Sequence, residues 1–348
     1  MNQTLNGIRR ILITILVAMG VGALFIIAIG ENPIDAYAAL FRGAFDGKLR
    51  LGTTLAGFTP LLLTSIAFAV AAKAGAFNVG VEGEVFLGGI TAAYIGINWT
   101  FLPKPALYVA CFVGAMVVAA AWAFIPAVLR AYYNVNEVCT TILMNTVALY
   151  ITSYLVSGPM SAGTANAQSL PVTVRLYQFM KPSSVNVGIF IAAITVIVII
   201  FMLQKSSWGY KIRTVGLNPT HADYVGIDSK KVFIGAMMLS GMLGGMAGCI
   251  EVLGVHGYFL NNFATGLGSN GMLAALIVKN NMVSTPFMAF FLAVLKSGAM
   301  GMQQSTGVPK SLVDTITAVF IIIATMETAF QFTKKRKKKT EGKKEDKA

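Results

Sequence analysis

Two carboxylates, Glu82 and Glu84, stand inside one of the most apolar stretches of this chain, "AFNVGVEGEVFLGG" (76–89). In such surroundings a carboxylate pair can share a proton in acid–base chemistry, hold a coupling ion, or accept hydrogen bonds along a polar route. A second polar set, "NEVCTTILMN" (136–145), opens another apolar run with Asn136, Glu137, Thr141 and Asn145. The last three recur every four residues, which stacks them on one face of a helix. Most other chemistries lack their residues. The two histidines, His221 and His256, lie far apart with no nearby cysteine or acid pair, so no metal site is expected. Cys111, Cys139 and Cys249 are isolated in apolar sequence and imply no disulfide framework. No GxxxxGK[ST] loop occurs, so the chain is expected neither to bind nor to hydrolyse ATP, and it needs no cofactor of its own. A membrane-embedded enzyme would need a catalytic pair that the sequence does not offer.

The elements that must position these residues follow from composition. Apolar residues make up 56% of the 348 positions and charged residues 12%, with a mean hydropathy of +0.71, more apolar surface than one water-soluble core can bury. The chain reads as an all-α polytopic membrane protein. Ten candidate spans are read from the apolar runs, at about 11–30, 52–72, 80–98, 106–130, 137–156, 185–204, 232–252, 268–279, 286–302 and 311–332. The eighth is too short to cross alone and is expected to be tilted, extended or re-entrant. The net charge of +13 does not point to nucleic acid, because nine of the 27 Lys and Arg residues follow Thr333. Residues 333–348 read as a disordered, solvated basic tail with weak attraction to anionic lipid, and residues 1–332 as the membrane domain. With the N-terminus inside, nineteen Lys and Arg fall on that face against seven on the other, which places both termini in the cytoplasm.

Local pattern refines this. Asn78 and Glu82 are four apart and are expected to share a face, with Glu84 turned elsewhere towards a cation on an adjacent span. Polar groups are costly in hydrocarbon, so the face carrying Glu137, Thr141 and Asn145 is expected to look at a water-filled route; interhelical bonding worth about 0.6 kcal/mol per residue is the plainer alternative. Gly241 with Gly245, and Gly244 with Gly248, form two small-xxx-small pairs that read as close packing. Pro60, Pro126 and Pro286 are expected to bend or break their spans. In the hydrophilic segment 205–231, Asn218 suits an N-cap, Pro219 a first helical position and Gly226 the position past the end. That defines a helix of about two turns outside the bilayer, suited to passing motion to a soluble motor, or else a structured loop with no partner. Spans 2–5 and 7–10 fall into halves of opposite topology. "AFNVGVEGEVFLGG" and "YFLNNFATGLGSNG" (258–271) each open the next span, which reads as an inverted repeat or as a chance recurrence of Gly-Asn turns.

Three segments in order, "FNVGVEGE", "VNEVCTTILMN" and "GYKIRTVGLNPTHADYVGI", resemble the membrane subunits of binding-protein-dependent ABC importers of the ribose and branched-chain amino acid type. Within that group "NEVCTTILMN" is similar to the permeases of nucleoside importers that work with a basic-membrane-protein type of binding lipoprotein. The resemblance runs from about residue 10 to residue 330. It implies a ten-span permease of the vitamin B12 importer type (type II), in a bacterial plasma membrane, carrying nucleosides such as guanosine. The implied partners are a second, homologous permease, a cytoplasmic ATP-binding subunit that uses the ATP, and an extracellular lipoprotein. In that family the segment matching 209–227 is a coupling helix seated in the ATPase, which makes Arg213, Gly216, Asn218, Pro219, Asp223 and Gly226 the candidate coupling residues. Arg213 also fits an ordinary cationic anchor at the inner membrane face. Asn78, Glu82, Asn136, Glu137, Thr141 and Asn145 are the candidate pathway residues. The competing functions are a permease for a simple sugar such as ribose, and a stand-alone ion-coupled carrier using Glu82, Glu84 and Glu137.

Overall fold

A helix apolar on every side is either a buried core helix or a membrane span, and a span can turn its apolar sides to lipid as well as to other helices. In the computed structural model, which describes residues 19–306, 309, 311–315 and 318, twelve α-helices follow one another. They are α1 (Met19–Ile29), α2 (Pro33–Phe45), α3 (Gly47–Lys73), α4 (Val81–Asn98), α5 (Lys104–Tyr133), α6 (Glu137–Ser157), α7 (Gly188–Lys205), α8 (Ser207–Leu217), α9 (Pro219–Tyr224), α10 (Ser229–Ile250), α11 (Leu267–Ile277) and α12 (Thr285–Thr306). Among the described residues there is no β-strand, only three isolated bridges. Residues 11–18 of the first expected span, most of the tenth and the basic tail lie outside the described residues.

Six of these helices are long and apolar enough to cross a membrane, and a seventh crossing arises if α1 and α2 count as one broken span. That pair bends by 113° after Gly30, whose φ of +93° suits glycine. Residues 31–51, which fall between the first two expected spans, contain α2. It is helical because Asn32 accepts the Ile34 N–H, Pro33 opens the first turn, Asp35 sits where the helix dipole favours an acid, and alanines follow. Of the expected bends or breaks at prolines, no break occurs: α3 and α5 run on through Pro60 and Pro126, and Pro286 falls in the first turn of α12, where it is tolerated.

The residues group into two units. In one, α1, α2, the part of α12 from Leu295 and residues 311–315 bury Ile26, Ala36, Leu40, Met302 and Val313 together. Gly298 lets α12 approach α2 there, since a Cβ on it would stand 2.9 Å from Leu40 Cγ. The other unit runs from Asp46 to Val294. Its centre is α3 and α10, with 78% and 72% of their apolar stretches buried, against 17% for α6, 28% for α7 and 33% for α5. The two glycine pairs of α10 are packing, as the sequence indicates. Gly241 and Gly245 press on Ala119 and Ala115 of α5, while Gly244 and Gly248 press on Glu84 and Val85 of α4.

At its far end α10 passes into a π-helical turn, Glu251–His256, and the long connection 158–187 is laced onto it. The N–H groups of Leu176, Val172 and Ser169 donate to the carbonyls of Leu253, Gly257 and Phe259, each at 2.9 Å. Arg175 donates to the His256 carbonyl at 3.0 Å, Gln178 to that of Gly254 at 2.9 Å, and Thr173 to that of Gly96 at 2.6 Å. Carbonyls that the π turn and the end of α4 would leave open thus find donors in the loop.

Candidate functional site

The chain leaves α3 through Ala74 and the left-handed Gly75, and turns before α4 begins at Val81. Asn78 therefore precedes the helix, and the four-residue spacing to Glu82 does not place them on one face. The partner of Asn78 is Glu84. Fully buried, Asn78 accepts the Gly80 N–H at 2.9 Å and donates from Nδ2 to Glu84 Oε1 at 2.8 Å and to Ser240 Oγ of α10 at 2.9 Å. Glu84 is 1% exposed, and its ligand is this amide in place of the expected cation. Its other oxygen, Oε2, has no hydrogen-bond partner among the described residues. Ser240 was missed in sequence; its only signal is a hydroxyl at the head of the glycine-rich run "SGMLGGMAG".

The polar stripe of α6 meets the same turn. Asn145 accepts the Gly83 N–H at 2.8 Å and donates to the Val79 carbonyl at 2.9 Å, so it satisfies a first-turn donor of α4 that has no partner within the helix. Thr141 is buried against Gly80, where a Cβ would lie 3.2 Å from Thr141 Cβ, and its hydroxyl returns to the Glu137 carbonyl at 2.7 Å. Glu137 forms an ion pair with Arg130 of α5 at 3.1 Å, and Asn136 caps α6 through the Val138 N–H at 2.9 Å. All four are engaged by neighbouring protein groups.

Glu82 differs. It is partly exposed, and Ser269 donates to its Oε2 at 3.3 Å. The start of α11 packs on it so closely that a Cβ on Gly268 would stand 2.8 Å from Glu82 Cβ, while Thr64 of α3 donates to the Leu267 carbonyl at 3.2 Å. The two Asn- and Gly-rich stretches compared in the sequence thus deliver the first turns of α4 and α11 to one point. Both helices begin alongside α3 and α10, at Thr64 and Ser240, well inside those long helices.

The segment 205–231 contains two helices where one was expected. The additional one, α8, is opened by Ser206, whose hydroxyl accepts the Gly209 N–H at 3.0 Å. Arg213 donates to the Leu203 carbonyl at the end of α7, and Gly216 lies against the Lys73 carbonyl that ends α3. Asn218 then accepts the His221 N–H at 3.0 Å with Pro219 at the first position of α9, and Gly226 has the left-handed φ of +82° just past its end. Asp223 accepts the Ser229 N–H and hydroxyl, both at 2.9 Å, joining α9 to α10. Asp228 caps α10, and the Lys231 N–H it accepts holds its carboxyl below the usual range. Arg213 and Gly216 thus fix the segment to the helix ends, while Leu217 and Tyr224 project 87% and 85% exposed. Beside them opens a cleft of about 430 Å³ lined by Gly75, Arg130, Gly216, Pro219 and Lys230. Among the described residues no cluster of His, Cys, Asp and Glu could hold a metal ion.

An all-helical membrane protein with interrupted helices meeting inside it, and a capped polar segment fastened across its helix ends, has the form of a transport subunit. The chain belongs to the family "Branched-chain amino acid transport system / permease component", whose pattern matches residues 50–325. It is 33% identical to the guanosine ABC transporter permease protein NupP of Bacillus subtilis over 94% of this chain and 96% of that one. It is 32% identical to the glucose ABC transporter permease protein TsgB13 of Haloferax volcanii over 89% and 85%. To the nucleoside ABC transporter permease protein NupB of Lactococcus lactis it is 31% identical over 92% and 91%. The chain is an ABC transporter permease, a transport subunit and not an enzyme, and this class works with ATPase and substrate-binding partners.

Proposed function

We propose that this chain forms part of the translocation pathway of a nucleoside importer, with purine nucleosides such as guanosine as its cargo. The observation that carries the reading is near full-length similarity to two permeases named for nucleosides or guanosine. The similar identity to a glucose permease favours a sugar as the second reading. A stand-alone ion-coupled carrier does not suit a permease component, and two of the three carboxylates it would use, Glu84 and Glu137, are bonded to Asn78 and Arg130.

In this reading the fold is the ten-span, vitamin B12 importer type with an inverted repeat, set in a bacterial plasma membrane with both termini in the cytoplasm. Glu82 lines the route, while Asn78, Thr141 and Asn145 hold the turn that presents it, and Asn136 and Glu137 fix the start of α6. The α8–α9 segment is the coupling element: Asn218, Pro219, Asp223 and Gly226 shape α9 for a cleft in the ATPase, and Arg213 and Gly216 pass its movement to α7 and α3. A second, homologous permease completes the pathway, and an extracellular lipoprotein delivers the solute to the face carrying loop 158–187.

The test is ATP-driven uptake by the whole complex in vesicles. Labelled guanosine is expected to accumulate and to be displaced by unlabelled purine nucleosides, with glucose and ribose in excess having no effect. Accumulation of a sugar with guanosine ignored overturns the substrate; uptake that persists without an ATPase subunit overturns the importer reading.

A further inference from the structure

α6 turns two faces in opposite directions, and the one away from α4 carries groups that lipid does not satisfy. Leu143, Thr146, Val147 and Tyr150 are exposed there, with Tyr150 at 70%. Neither Thr146 nor Tyr150 makes a side-chain hydrogen bond among the described residues. Tyr150 lies seven residues from the end of α6 at Ser157 and Thr146 eleven, or about 10 and 16 Å along the axis, inside a hydrocarbon layer about 30 Å thick. Tyr154, three residues from the end, suits the aromatic belt of a membrane interface and is left aside.

The other poorly buried helices show what a lipid-facing surface of this protein is made of. On α7 the exposed positions before its last turn are Phe190, Ile194, Ile197, Val198 and Phe201, and on α5 they include Val109, Val113, Val117, Phe124 and Ile125. None carries a hydrogen-bonding group. Nor does the α6 face suit close packing of a second helix, which this protein builds from glycine and alanine, as between α10 and α5. Large side chains bearing unpartnered hydroxyls at this depth suit the wall of a water-filled cavity.

We propose that the face of α6 bearing Thr146 and Tyr150 is a solute-binding wall of the pathway, taking a flat, uncharged ring with hydrogen-bonding edges by stacking on Tyr150. This rests on the permease reading above and names where selection occurs. Glu137, Thr141 and Asn145, the stripe singled out in the sequence, belong to the start and the opposite face of the same helix and support it. Planar bases stack on an aromatic face whatever their edge pattern, and hydroxyls beside it meet the polar edges.

The experiment uses the whole complex in vesicles, with Cys139→Ser as background because Cys139 is exposed, whereas Cys111 and Cys249 are buried. Single cysteines replace Thr146, Tyr150, Ile194 and Val113, and a cationic methanethiosulfonate, which needs water to reach a thiolate, is added with and without saturating guanosine. Cysteines at 146 and 150 are expected to react and to be slowed about fivefold or more by guanosine, and those at 194 and 113 to stay unreactive. In uptake, Tyr150→Ala is expected to raise KM about tenfold, as loss of one stacked base does, and Tyr150→Phe by less than about threefold. Equal reactivity at 150 and 194, or equal KM changes for Ala and Phe, overturns the proposal. Absence of guanosine protection in a complex that still takes up guanosine overturns it alone; protection by glucose with none by guanosine overturns it together with the nucleoside reading.

Discussion

The two faces of α6 carry similar groups to opposite ends. Towards α4, Thr141, Asn145 and Thr152 are tied to backbone carbonyls and N–H groups at 2.7–3.0 Å. Away from it, Thr146 and Tyr150 stand exposed and unpaired within the described residues. A polar residue in a membrane helix is therefore not by itself a marker of a route: what decides is whether the fold has already used its hydrogen bonds. Stability is expected to reside in the first face and transport in the second.

Substitutions that attack the spent groups test the first half of this contrast. Asn78→Leu removes three hydrogen bonds at once and leaves the Glu84 carboxyl buried without a partner, so a loss of more than about 3 kcal/mol is expected, read as a lowered thermal midpoint and a poor yield of folded protein in detergent. Asn145→Leu orphans the Gly83 N–H and the Val79 carbonyl and is expected to cost about 2–3 kcal/mol by the same measurement. A midpoint unchanged by either would break the comparison. At α9, Asn218→Ala removes one cap, with an expected stability cost of about 1 kcal/mol, while ATP-driven uptake falls out of proportion as ATP hydrolysis loses its dependence on solute. On the exposed face Tyr150→Leu is expected to change stability by no more than about 0.5 kcal/mol while lowering uptake, which sharpens the contrast with Asn145→Leu.

A control on another helix, α10, uses pH. The Lys231 N–H holds the Asp228 carboxyl below its usual range, so this cap stabilises the amino end of α10 fully above the ordinary carboxyl pKa. That contribution fades as pH falls through the lowered value. Asp228→Asn, an uncharged cap, is expected to remove this small acid dependence of the thermal midpoint and nothing else.

What could be read from sequence was local. Asn218, Pro219 and Gly226 announce α9 through capping chemistry within nine residues, and the glycine pairs of α10 announce close packing through simple spacing. Helices α2 and α8 escaped because hydropathy, not capping, was used to divide the chain; the Asn32–Pro33 and Ser206 caps were there to be found. The partner of Asn78 was misjudged because a helical period was extended to a residue that stands before the helix. Ser240, Ser269 and the choice between the two faces of α6 were not legible, since each depends on which distant helix arrives beside it.

The amino end of α4 also bears on how this protein is made. Glu82 and Glu84 stand in its first turn, and Asn78 just before it already meets Glu84, but the other groups packed on this turn come later in the chain: Asn145 on α6, Ser240 and Gly244 on α10, Gly268 and Ser269 on α11. When α4 leaves the ribosome none of these exists. Glu82 gains its partner Ser269 only about 190 residues later, so the start of α4 is expected to reach its final packing only after α11 has been made.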